Sequence, residues 1–180
     1  MKQIIPCGFG SFTIDRDLIP RSESSPQLPL VNIDPETGDV TFRHSGTALE
    51  MRARILELKD ALIAAGGSSD YPVNHEFCDG MYIRRLLIPR GELLLGKIHR
   101  KDCINFVERG DISLLTEFGA RRVQAGYVGV SRAGIMKVGF AHADTVFVNI
   151  FRTDKTSIDE IEEEIACEDH SLIEREAPCQ

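Results

Sequence analysis

The order of apolar and polar positions divides the chain into four stretches. From Tyr82 to Phe151, short runs rich in Ile, Val, Leu and Phe alternate with the polar turns PRGE, HRKD, ERGD, EFGA and SRAG. Many short strands joined by such turns predict a sandwich or barrel. Upstream, Ala48, Met51, Ile55, Leu58, Leu62 and Ala65 recur at steps of three and four, the spacing of one helix face. Ser45 or Thr47 caps this helix, Glu50 stands in capping-box register with Thr47, and Gly66 and Gly67 stop it. The apolar stripe reads as core or interface packing. Downstream, Ser157 precedes IDEIEEEI, with Glu160 in capping-box register and acidic residues at the positive end of the helix. The polar tail EDHSLIEREAPCQ is expected to continue that helix before fraying.

Residues 1–43 follow neither period. Pro6, Pro20, Pro26, Pro29 and Pro35 remove backbone donors and restrain their neighbours, so the segment reads as an extended arm. Within it, Val31 to Ile33 and Val40 to Phe42 flank the turn DPETGD and are expected to pair as a hairpin. Ile4, Ile5, Phe9, Phe12, Ile14, Leu18, Ile19, Leu28, Leu30 and Val31 make the arm more apolar than a disordered tail requires. They are expected to cover a surface on another chain. The organisation is thus an arm at 1–43, a helix and linker at 44–74, a β-barrel at 75–153 and a C-terminal helix and tail at 154–180.

Charge and cysteine content narrow the picture. A net charge of −7 over 180 residues argues against a broad basic surface that would track phosphates, so no direct sequence-specific nucleic acid binding is expected. No run approaches the roughly 18 apolar residues that cross a bilayer, and the N-terminus MKQIIPCGFG lacks the apolar core of a signal peptide. No membrane partner is expected, and the location expected is a cytoplasm, the cell's own or a host's. Cys7, Cys78, Cys103, Cys167 and Cys179 are odd in number and form no C-x-x-C pair, which suits reduced thiols.

The glycine spacing carries the most specific signal. Gly91, five residues, Lys97, one residue, His99, three residues, Cys103, six residues and Gly110 match the first cupin motif position by position. Gly126, five residues, Arg132, Ala133, Gly134, two residues and Lys137 match the second. The chain resembles cupins in the turn glycines Gly91, Gly110, Gly126 and Gly134, and departs from them in the ligands. The motif usually carries His, His and Glu where Lys97, His99 and Cys103 stand, and His where Lys137 stands. The resemblance implies a mainly-β fold, a cupin-type jelly-roll barrel with an extended N-terminal arm and two flanking helices.

Glycines shape the turns and ligands make the cage, so the two can be lost separately. Residues two apart share a strand face, so Lys97 and His99 are expected to point with Leu93 and Leu95 into the barrel, with Lys137 facing them. Two ammonium groups at ligand positions repel a divalent cation and offer it no lone pair while protonated. Neither a metal nor a cofactor is therefore expected. Lys97, His99, Cys103 and Lys137 instead make a candidate ligand or anion pocket, for a carboxylate or phosphate.

A finer resemblance spans residues 75–166. IPRGELLLGKIHRKDCINFVERGDISLLTEFGARRVQAG followed by GIMKVGFAHADTVFVNIFRTDKTSIDEIEEEI is similar to small cupin-like proteins encoded by tailed bacteriophages. It implies a non-enzymatic virion component, such as a collar, neck or decoration protein, contacting other virion proteins and copies of itself, and present in host cytoplasm during assembly. The alternative is a cupin-type enzyme or small-ligand binder with an altered site around His99. Cyclic-nucleotide sensing is a weaker third reading, because Ala120, Arg121 and Arg122 follow Phe118 and Gly119 where that family supplies a Glu.

Overall fold

The computed structural model describes residues 30–34, 36–37, 39–64 and 71–167. The expected hairpin forms: β1 (Val31–Ile33) runs antiparallel to β2 (Val40–Phe42), with Val31 opposite Phe42. The Asp34 carboxylate holds its turn by accepting the amides of Glu36 at 2.8 Å and Thr37 at 3.0 Å. α1 (Ala48–Ala64) starts on a complete capping box. Thr47 N–H donates to Glu50 Oε2 at 2.7 Å, and the Glu50 amide donates to Thr47 Oγ1 at 3.3 Å. Met51, Ile55, Leu58 and Leu62 of the stripe are fully buried. The expected stop at Gly66 and Gly67 lies outside the described residues.

The strands that follow are β3 (Val73–Cys78), β4 (Met81–Ile88), β5 (Leu93–Leu95), β6 (Ile98–His99), β7 (Cys103–Arg109) and β8 (Asp111–Thr116). Then come β9 (Gly119–Gln124), β10 (Val128–Ser131), β11 (Val138–Ala141) and β12 (Thr145–Arg152). They make two antiparallel sheets, ordered β10-β7-β12-β4-β3 and β5-β11-β8-β9. Leu86, Ile88, Val107 and Phe147 of the larger sheet meet Ile112, Val123 and Ala141 of the smaller one in a shared core. The mainly-β jelly-roll sandwich read from the sequence is therefore the fold. Gly91, Gly110, Gly126 and Gly134 all adopt positive φ, between 81° and 98°, a backbone region that L side chains rarely enter.

The smaller sheet is apolar on both faces, which the strand sequence VGFA of β11 reflects: all four residues are buried. Its outer face carries Leu93, Leu115, Val138 and Phe140, and α1 with the hairpin covers it. Leu30 and Val40 are buried there and Val31 packs against them. This corrects the expectation that Leu30 and Val31 cover another chain; the other apolar arm residues fall in 1–29, outside the described residues. One buried ion pair fastens α1 to the sheet. Arg52 Nε lies 2.6 Å from Glu117 Oε1, Arg52 also donates to the Gly134 carbonyl, and Glu117 accepts the Met136 amide at 3.0 Å.

At the sandwich end, α2 (Ile158–Ile165) buries Ile161 and Ile165 against Tyr82, Cys103 and Phe151. Ser157 occupies the N-cap with extended backbone, yet its side chain makes no capping hydrogen bond, and Glu160 instead lies 3.6 Å from Lys155. The capping box expected here is therefore not formed; the first-turn carboxylates alone oppose the helix dipole. The helix ends at Ile165, and the tail expected to continue it lies outside the described residues. Ala166 turns to extended geometry and β13 (Ala166–Cys167) pairs with β6, Ala166 opposite His99.

A candidate anion site inside the barrel

Three adjoining strands of the larger sheet each aim one polar side chain inward. On β4 the buried positions alternate as Tyr82, Arg84, Leu86 and Ile88, on β12 Asn149 lies between Phe147 and Phe151, and on β7 Asn105 lies between Cys103 and Val107. The register sets Asn149 opposite Arg84 on one side and Asn105 on the other. Arg84, Asn149 and Asn105 thus form one polar row across an otherwise apolar inner face. Asn149 Nδ2 donates to Asn105 Oδ1 at 2.7 Å. None of the three was singled out by the sequence reading.

Lys97 approaches this row from the chain linking β5 to β6, His99 from the end of β6, and Lys137 from the residue before β11. With Arg84 and Asn149 they line one cavity of about 60 Å³ between the sheets. Lys137 Nζ donates to Asn105 Oδ1 at 3.2 Å. Cys103 stands behind His99 rather than on the cavity wall: its thiol donates to the same Asn105 oxygen at 3.6 Å and lies 3.8 Å from His99 Nδ1. The Asn105 carbonyl therefore collects three donors. His99 meets the Phe151 ring edge-on, centroids 5.0 Å apart.

The structure brings Lys97, His99 and Lys137 together as the glycine spacing implied, but the shared face with Leu93 does not hold. Leu93 packs in the cluster beneath α1, while Leu94 lines the cavity. The alternation breaks at Gly96 and Lys97, which belong to neither strand, and Gly96 N–H still reaches the Lys137 carbonyl at 2.8 Å. The acids nearest in sequence are engaged elsewhere. Glu92 accepts the Tyr71 hydroxyl, Glu108 pairs with Arg85, and Glu117 pairs with Arg52.

Burial holds the His99 imidazole well below its ordinary range, and the charges of Lys137 and Arg84 push it further down, so it is neutral near pH 7. Burial also lowers the Lys137 amine, against the pull of the Glu117 carboxylate, and raises the Cys103 thiol, keeping it protonated. This donor set does not fit a divalent metal. One neutral imidazole and one protonated thiol stand beside cations, and among the described residues no three His, Cys, Asp or Glu side chains converge.

A second polar chain has the atom order of a hydrolytic triad. Ser113 Oγ lies 2.8 Å from His142 Nε2, and His142 Nδ1 lies 2.9 Å from Asp39 Oδ1. Asp39 precedes β2, so the chain fastens the hairpin to β8. Ser113 is only 9% exposed on the covered face of the smaller sheet, and the barrel cavity does not reach it. With the His142 imidazole also only 6% exposed, the chain acts as a tether.

Fold and site together define a double-sheet β-barrel with a cation-walled cavity. No family model matches the chain, and no curated protein matches it in sequence. Solved structures similar to it include KdgF from Halomonas sp., at 18% identity over 47% of this chain and 79% of that one, TM-score 0.42. A cupin-like protein from Thermotoga maritima is 17% identical over 48% of this chain and 70% of its own, TM-score 0.41. A cupin-2 domain containing protein from Shewanella frigidimarina is 14% identical over 47% and 83%, TM-score 0.40.

Proposed function

We propose that the protein is a non-enzymatic binder of a small anion, held inside the barrel around Lys137. One observation carries this reading: among the described residues, the cavity wall holds three cationic side chains, Arg84, Lys97 and Lys137, and no carboxylate. Like charges converging on one largely buried space repel each other more strongly than in water, and an anion between them offsets both the repulsion and the loss of hydration. Lys137 adds direction, because its amine lines the cavity and donates to the neutral Asn105 amide oxygen at 3.2 Å. Binding stabilises the folded state by mass action. The melting temperature is accordingly expected to rise with added acetate or phosphate at constant ionic strength, and Lys137→Met is expected to abolish the rise. An equal rise in that variant would sink the reading.

A second reading is that the chain is a bacteriophage structural subunit, a collar, neck or decoration component of the virion, contacting other copies of itself. It draws on the sequence resemblance and on one surface. On the outer face of the larger sheet, Val130 lies opposite Ile104, and Val128 opposite Phe106. Val128 is 63% exposed and Val130 59% on β10, which among the described strands pairs on one side only, and Ile104 of the neighbouring β7 is 44% exposed. Open apolar edges of this kind favour pairing with a second copy. Sedimentation equilibrium is expected to show an oligomer that Val130→Lys with Ile104→Lys dissociates; a wild-type monomer at about 100 µM, a concentration at which a micromolar dimer forms, would remove this reading.

A further inference from the structure

Resting on the anion-binding reading, we infer that the ligand is a short-chain monocarboxylate, its head among Arg84, Lys137 and Asn149 and its tail against the opposite, apolar end of the cavity. The cavity is polar at one end only. Beyond Arg84, Lys97, His99, Lys137 and Asn149, its side-chain wall is apolar, with Leu86, Ile88, Leu94, Ile112, Leu114 and Phe147 among it. A tetrahedral phosphate or sulfate carries oxygens in every direction, so seating it at the cations presses some of them against aliphatic carbon, where they lose hydration without gaining a donor. A carboxylate puts both oxygens on one side, matches the planar fork of a guanidinium, and leaves carbon to fill the apolar end. The size agrees. About 60 Å³ corresponds to roughly four to six water-sized atoms at about 10–15 Å³ each, enough for a carboxylate with a tail of about one to three carbons and too little for an aromatic acid or a sugar phosphate. The wall also limits the head to a single charge, since a dicarboxylate would drive its second carboxylate into the leucine and phenylalanine end.

Calorimetric titration of the full-length protein with acetate, propionate, butyrate, valerate, hexanoate, inorganic phosphate and sulfate, at constant ionic strength, tests this. Each methylene that enters the apolar end is expected to tighten binding about threefold to fourfold, up to a maximum near propionate or butyrate, with a loss at valerate and hexanoate when the tail outgrows the cavity. Leu114→Ala, at a partly exposed position, is expected to move the maximum to a longer acid, whereas Lys137→Met weakens the whole series. Phosphate or sulfate binding as tightly as the best carboxylate, or affinity independent of tail length, would overturn the carboxylate assignment while leaving the anion site standing, provided Lys137→Met still abolished binding. No binding of any of these anions, or equal binding in a folded Lys137→Met, overturns both.

Discussion

Glu117→Ala is expected to cost about 3–5 kcal/mol of folding stability, the range found when one partner of a buried ion pair is removed. The side chains of Arg52 and Glu117 are 5% and 0% exposed. Removing the carboxylate leaves a buried guanidinium without its counter-charge and the Met136 amide without its acceptor, two penalties that arise together. The pair also links α1 to the loop before β11, so unfolding midpoints should fall and hydrogen exchange in α1 should accelerate. Glu117→Gln keeps an oxygen for the Met136 amide and should cost less. The double substitution Arg52→Met with Glu117→Met should be milder than either alanine variant, because it leaves no unpaired charge. If Glu117→Ala unfolds within about 1 kcal/mol of wild type, a value typical of exposed pairs, the pair does not fasten α1.

Gly110→Ala is expected to be almost as damaging, at more than about 2 kcal/mol, while Gly126→Ala costs about 1 kcal/mol. Both glycines hold positive φ, 98° and 92°. They differ in what a Cβ meets. At Gly110 it would come within 2.6 Å of the Asp144 carbonyl oxygen and of Thr145 Cα, backbone atoms that cannot rotate away, and at Gly126 nothing lies within 4 Å. Gly110 joins β7 to β8 across the two sheets, beside the Thr145 hydroxyl that accepts the Asp111 amide at 3.2 Å, so displacement there propagates into both. Comparing thermal unfolding of the two variants separates contact from backbone strain. Equal losses would assign the whole effect to φ.

Much of this architecture is legible in sequence because local rules and burial agree there. Thr47 and Glu50 announce the start of α1, and its stripe at three and four residue steps is the face it buries. The hairpin turn follows from Asp34, and the motif glycines place Lys97, His99 and Lys137 around one space. What stayed hidden depends on strand pairing. In YIRRLL either Arg84 or Arg85 could point inward, and only the register with β12 sets Arg84 in and Arg85 out. Asn105 in CINFV and Asn149 in FVNIF carried a readable signal, a lone polar residue at a position whose neighbours two residues away are apolar. Its meaning required knowing that the two strands are adjacent. Leu93 misled for a related reason. The smaller sheet has a second apolar face under α1, so hydrophobicity alone does not say which side of β5 is the interior. Ser157 shows the limit of motif reading at helix ends: the residue is at the cap, and Glu160 turns to Lys155 instead.

Cations that line a cavity with no carboxylate among the described residues should also attract a heavy halide. Crystals grown in sodium bromide, measured at the bromine absorption edge with and without propionate, read the site directly. The account expects an anomalous peak inside the barrel beside Lys137 Nζ, lost when propionate is added. Bromide confined to surface lysines, with only water in the cavity, would contradict it.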